Sequence, residues 1–292
     1  MKRLVVAALW CCLLCCLSFA VPVSARQGTL LVAFGTSVGD ARSSIDAVVA
    51  EYKAQGKGPV LLAFTSDIIR RKLAAAGESV PSVAAALKEL AAQGVDEVTV
   101  QSLHIAPAEE YSQLERMIVR HVTKNPGVFK SVKVGYPLLV SERDLDTVVS
   151  VVLASLPERR KGDAVVLMGH GNDRGPGDLT LAAAAAAFHK ADPLVWLASV
   201  EGANSFERVL PQLKAAGVKR VWLQPFMLVA GDHACNDLAG PEADSWASRV
   251  RAAGMTPVPH LVGLGQMEGV RQVFLEHSRH AVIDLARPGK AE

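Results

Sequence analysis

Eight short apolar runs, near residues 28–35, 58–65, 96–103, 131–136, 163–169, 193–200, 218–225 and 256–262, alternate with longer amphipathic segments along this chain. Runs of strand length with few polar positions must be covered on both faces, and the helix-length segments between them supply the cover. Few architectures satisfy that pattern other than a parallel sheet sandwiched by helices. The clearest helical segments are 38–55, 80–93, 109–124, 205–216 and 266–286, rich in Ala, Leu, Glu, Lys and Arg with Gly or Pro near their ends.

Four runs precede Ser141-Glu142-Arg143-Asp144 and four follow it, with no Ser-, Gly- or Pro-rich linker between. Three stretches of the first half lie over the second. Leu31–Gly35 matches Leu167–Gly171, Leu61–Ser66 matches Trp196–Glu201, and Val100–His104 matches Leu223–Met227. Counting nine residues on from Gln101 and from Gln224 pairs Glu110 with His233. This reads as an internal duplication. The fold expected is α/β, with two similar lobes, 26–141 and 142–292, each a four-stranded parallel sheet flanked by helices.

Residues 1–25 read as a secretory signal peptide. Lys2 and Arg3 precede an apolar stretch from Leu4 to Ala20, and Val23 and Ala25 suit a cleavage site before Arg26. The chain after cleavage would be periplasmic, with no stable membrane insertion. Losing Lys2 and Arg3 from 31 basic residues matches the remainder to 29 acidic ones, so nothing favours nucleic acid. Cys11, Cys12, Cys15 and Cys16 would leave with the signal, and Cys235 alone cannot form an intramolecular disulfide. Half of all residues are apolar, ample for a core.

Parallel strands present functional groups at their carboxyl ends. His170, Glu201 and His233 each come after such a run, so two imidazoles and a carboxylate are expected at one rim. That donor set suits divalent Co, Fe, Ni or Zn and leaves coordination positions open, which suggests a metal being handled. His170 stands between Gly169 and Gly171, where missing side chains would let a flat ligand approach. Glu201 can bind metal or accept a proton. His233 lies in Val229–Asp237, a polar stretch directly before a helix expected to start around Asp237. His104 ends a run of the first half and either lines the cleft from the opposite side or is a core histidine. His121, His189 and His260 read as surface or loop residues, and His277 with His280 as a solvated helix face. No His-Glu-x-x-His helix, Gly-x-Ser-x-Gly elbow or Gly-x-x-x-x-Gly-Lys loop occurs.

Leu31–Ser37, Gln101–Ile105, Met168–Gly171 and Leu228–Asp237 together resemble the class II tetrapyrrole chelatases, most closely the anaerobic cobalt chelatases. The resemblance spans nearly the whole chain after residue 25. It implies two α/β lobes with a cleft between them, a metal-binding pair at His170 and His233, and an acidic ligand at Glu201. It also implies insertion of Co2+, with Fe2+ as a substitute, into sirohydrochlorin, a polycarboxylated macrocycle on the route to cobalamin. In that reading His170 and His233 hold the ion while one of them, with Glu201, accepts the pyrrole protons.

The macrocycle's carboxylates call for cations, and Arg42, Arg70, Arg71, Lys72 and Arg174 stand on or just after strand ends, with His104 beside them. His121 is a candidate haem ligand if the protein binds haem. A homo-oligomer is compatible with the sequence. The signal peptide departs from the resemblance, since enzymes of this kind usually work in the cytoplasm. The competing functional class is a periplasmic carrier of metal or haem that does no chemistry.

Overall fold

Each of the eight apolar runs forms a strand. The computed structural model describes residues 26–172 and 177–286, so the signal segment and Arg174 lie outside the described residues. Strands β1 (Gln27–Ala33), β2 (Val60–Phe64), β3 (Glu97–Ser102) and β4 (Ser131–Gly135) lie parallel in the order β2-β1-β3-β4. Strands β5 (Ala164–Gly169), β6 (Val195–Ser199), β7 (Arg220–Pro225) and β8 (Thr256–Pro259) repeat it as β6-β5-β7-β8. Identical strand order in both halves is what a duplicated α/β unit produces.

The helices are α1 (Arg42–Ala54), α2 (Asp67–Ala75), α3 (Val83–Ala92), α4 (Glu109–Lys124) and α5 (Glu142–Ser155), then α6 (Gly177–Ala191), α7 (Phe206–Ala215), α8 (Trp246–Ala252) and α9 (Glu268–Arg279). Serine stands at the N-cap of five of them, and in four its side chain caps the helix. The hydroxyls of Ser66, Ser82, Ser141 and Ser245 accept the N–H of Ile69, Ala85, Asp144 and Ser248 at the heads of α2, α3, α5 and α8. Each satisfies one otherwise unpaired helical donor.

Three features differ from the sequence expectation. The last helix stops at Arg279 rather than 286, and the chain then forms β9 (Ile283–Asp284), antiparallel to β4. The first sheet therefore has five strands, one of them supplied by the C-terminal end of the chain. No regular α-helix begins at Asp237; Ala234–Leu238 is a π-helical turn, and α8 follows only at Trp246. His277 does not face solvent: its Nδ1 meets the Tyr136 carbonyl and its Nε2 the Asp144 carboxylate, each at 3.2 Å.

The helix that follows the last long strand of each sheet helps to join the halves. Helix α5 lies on α6, while α9 lies on α1, β3 and β4 as well as on α5. One apolar cluster consequently spans both halves, joining Leu31, Phe64 and Leu103 to Val165, Leu167 and Leu197 through Val148 and Val152 of α5 and Val270 and Phe274 of α9. Two further clusters cover the outer faces of the sheets. A shared core replaces a linker, which explains the absence of linker composition near residue 141. Among the described residues no helix is long and apolar enough to cross a membrane.

Phe274 is fully buried in the shared cluster, so Phe274→Ala is expected to lower the unfolding free energy by about 3–5 kcal/mol in urea denaturation. Val282→Ala, at a side chain 70% exposed just beyond α9, should change it by less than about 0.5 kcal/mol.

Candidate active site

Adjacent strands β5 and β7 set the site. They run parallel with Met168 opposite Pro225, and the segments leaving their carboxyl ends carry His170 and His233. The two imidazoles meet, with ring centroids 5.0 Å apart and planes at 82°. Both line a cleft of about 320 Å³ whose other wall comes from the first lobe, including Phe34, Lys72, His104 and Glu110.

Local hydrogen bonds orient both rings in the same sense. His170 Nδ1 lies 2.9 Å from the Gly171 carbonyl, an acceptor only, so Nδ1 carries the proton and donates. His233 Nδ1 donates to Asp237, four residues on across the π-helical turn. In a neutral imidazole with Nδ1 protonated, Nε2 keeps its lone pair, and outer-shell partners of this kind hold metal-binding histidines. The π-turn thus has a local purpose, placing Asp237 beneath His233; such turns concentrate at functional sites.

Glu201 stands at the rim. Its backbone N–H donates to the His170 carbonyl at 2.9 Å, tying the end of β6 to that of β5, while the residue as a whole is exposed. Among the described residues no group of three His, Cys, Asp or Glu side chains is close enough to hold one ion. The pair His170 and His233 is what the fold brings together, with Glu201 beside it. Gly171 has a different reason from the one its sequence suggested. It sits at φ +81°, and a Cβ there would fall 1.9 Å from the Glu201 carbonyl oxygen, so the residue is glycine because two backbones touch.

Glu110, the second residue of α4, is the group to which the sequence assigned no role. Its carboxyl is half-buried in the cleft wall. Burial raises its pKa above the ordinary carboxylate value; His170 opposes the rise, and the charges of Glu201 and Glu109 add to it. Its equivalence to His233 in the duplicated halves was the one available signal.

Of the expected macrocycle contacts, His104 lines the cleft and Arg42 does not. The Arg42 guanidinium lies 5.3 Å from the centre of the Phe64 ring and pairs with Asp46 and Glu78, a structural role. Arg70 is paired with Asp67 on the same helix. Arg71 is exposed and does not line the cleft, whereas its neighbour Lys72 lines it and forms no ion pair among the described residues. His121 is not a surface histidine. It is buried on α4 with its ring 6.4 Å from that of Phe129, so it presents no open imidazole to a haem. Cys235 is partly buried, its thiol 4.0 Å from the Ala230 carbonyl.

Comparison with known proteins shows what this arrangement resembles. The family model of the cobalt chelatase CbiK matches residues 27–283. A sirohydrochlorin cobaltochelatase of Nitratidesulfovibrio vulgaris is 39% identical over 262 residues, covering 89% of this chain and 92% of that protein. The sirohydrochlorin cobaltochelatase of Salmonella typhimurium is 36% identical over 268 residues, covering 89% and 98%. Among solved structures, SirB from Bacillus subtilis with Fe3+ superposes with a TM-score of 0.62 at 18% identity, covering 87% of this chain and 94% of that one. The sirohydrochlorin chelatase SirB in complex with cobalt gives 0.59 at 16% identity over the same shares, a likeness of fold.

Burial at the cleft wall brings the His104 pKa from 6.5 down to about 4. Above pH 6.5 the ring is neutral in both folded and unfolded chains. As pH falls from 6.5 towards 4, the unfolded chain takes up a proton that the folded one refuses, so stability declines by about 1.4 kcal/mol per pH unit from this group. Urea unfolding at pH 7, 6 and 5 should show that component in the wild type and its loss in His104→Gln.

Proposed function

The chain belongs to the cobalt chelatase (CbiK) family, and we propose that it is a sirohydrochlorin cobaltochelatase, inserting Co2+, and Fe2+ as a second metal, into that macrocycle. The observation that carries the reading is the pair of adjoining imidazoles, both with Nδ1 engaged and Nε2 open to the cleft. Two neutral nitrogen donors bind a borderline divalent ion without enclosing it. The metal is a substrate and must depart. A carrier would need a fuller donor set to retain its cargo, and two imidazoles with Glu201 at the rim favour transfer over retention.

Insertion replaces two pyrrole N–H protons by one metal ion. His170 and His233 hold Co2+ on the second-lobe side of the macrocycle, while Glu201 stands exposed at the rim beside His170. The displaced protons need an acceptor that is not itself tied up by the metal. Glu110 fills that role from the opposite wall, taking one proton and releasing it to solvent before the second: its raised pKa makes it a stronger base than an ordinary carboxylate, and a general base of this kind contributes about 10²–10⁴-fold. Phe34, 49% exposed at the end of β1, offers a flat apolar surface to the ring.

Export is part of the same proposal. Residues 1–25 have the charged head, apolar middle and small-residue end of a signal peptide, which supports a periplasmic enzyme.

Two experiments test these readings. In an absorbance assay of Co2+ insertion, His170→Ala and His233→Ala should each lower kcat/KM for Co2+ by about 100-fold or more while leaving the melting temperature within a few degrees. Glu110→Gln should act mainly on kcat, by about 10²-fold; unchanged rates in all three variants refute the site. Expressed from its full gene, the protein should appear in the periplasmic fraction with Arg26 as its first residue by mass spectrometry, and a cytoplasmic chain retaining Met1 excludes export.

A further inference from the structure

His104 is chemically the inverse of the metal-facing pair. It follows β3, and its Nδ1 lies 2.9 Å from the Ser102 hydroxyl oxygen. That oxygen also receives the His104 backbone N–H at 3.4 Å, and the hydrogen of this buried hydroxyl has no acceptor among the described residues other than Nδ1. Nδ1 therefore accepts, and the proton of the neutral ring resides on Nε2. His170 and His233 have the opposite tautomer, donating from Nδ1.

The His104 Nε2–H has no partner among the described residues although the atom is buried and the ring lines the cleft. An unpaired buried donor is unfavourable, and an apolar residue in its place would avoid that cost. The cleft must therefore receive an acceptor when occupied. Pyrrole N–H groups are donors and do not answer; an Nε2 that carries a proton has no lone pair for Co2+. The unprotonated ring nitrogens are acceptors as well but must face the metal between His170 and His233, which leaves the side-chain carboxylates for the first-lobe wall, and hydrogen bonds to charged acceptors are the stronger kind.

We propose that His104 is a positioning residue, its Ser102-preset Nε2–H docking a carboxylate of the tetrapyrrole on the first-lobe wall. Lys72 lines the same wall, forms no ion pair among the described residues, and adds charge to that subsite. This deepens the chelatase reading and rests on it. Burial keeps the ring neutral at physiological pH, so docking does not titrate with His104 between pH 6.5 and 8. One side-chain type thus serves two tasks in a single cleft, separated only by which nitrogen holds the proton.

The test is binding of metal-free sirohydrochlorin, followed by fluorescence quenching, alongside steady-state insertion kinetics. His104→Leu should weaken macrocycle binding about tenfold or more and raise its KM in proportion, with KM for Co2+ and kcat changed less than about threefold. His104→Gln, which returns an N–H donor near the ε position, should recover part of the loss, and Ser102→Ala should show an intermediate loss because the tautomer is no longer set. The ratio of wild-type to His104→Leu affinity should be flat from pH 6.5 to 8. Circular dichroism and melting of each variant separate loss of fold from loss of contact, and the glutamine variant keeps the question answerable if leucine unfolds the chain. Undiminished binding by a folded His104→Leu, or a defect confined to kcat, overturns this inference alone. Failure of the wild type to bind the macrocycle overturns the chelatase reading and this inference with it; wild-type binding without metallation removes only the proposed insertion activity.

Discussion

Parallel pairing of β5 with β7 is the constraint on which the chemistry of this chain rests. With Met168 opposite Pro225, the chain segments leaving the two strands start side by side, and two histidines 63 positions apart in sequence come into ring contact. Both strands end in residues that are buried or nearly so, which leaves the following loops little freedom to wander. The close backbone contact at Gly171 and Glu201 fixes the end of β6 to the same point, so three strand ends form one rim. Everything proposed for metal handling depends on that rim staying rigid.

The opposite wall depends on a different device. Helix α9 of the second half packs on α1, β3 and β4 of the first, and β9 continues from it to the edge of the first sheet. A single apolar cluster then runs beneath the cleft from one sheet to the other. His277, set between the Tyr136 carbonyl and Asp144, holds α9 to the crossover that joins the halves. The first-lobe groups that face the metal pair, Glu110, His104 and Lys72, are thereby kept at a set separation from it. Their division of labour is electrostatic: a carboxyl with raised proton affinity, a neutral donor and a cation, matched to the departing protons, and to the carboxylates, of the proposed substrate.

Much of this was legible before any coordinates. Strand positions followed from apolar runs because strands buried on both faces have no polar alternation to confuse the reading, and β5 and β6 are buried along their whole length. His170 and His233 were legible because strand ends carry function in this class of fold, and Glu201 was placed at the same rim. Less legible were residues whose role is set by what lies across the cleft. Arg42 reads as a substrate anchor until Phe64, Asp46 and Glu78 are seen to occupy it. His121 reads as exposed because helix α4 is polar on most of its surface, yet it falls on the buried stripe with Leu114 and Ile118.

The amino-acid sequence by itself determined the α/β class, the four-plus-four duplication, the pair of histidines after two neighbouring strand ends and the family, since each depends on local pattern or on motifs contiguous in the chain. Only the tertiary structure decided which nitrogen of each imidazole holds its proton, that Glu110 is pushed towards a higher pKa, and that β9 closes the first sheet. Proton placement and burial arise from neighbours distant in sequence, and an edge strand of two residues gains its stability from its partner rather than from its own composition.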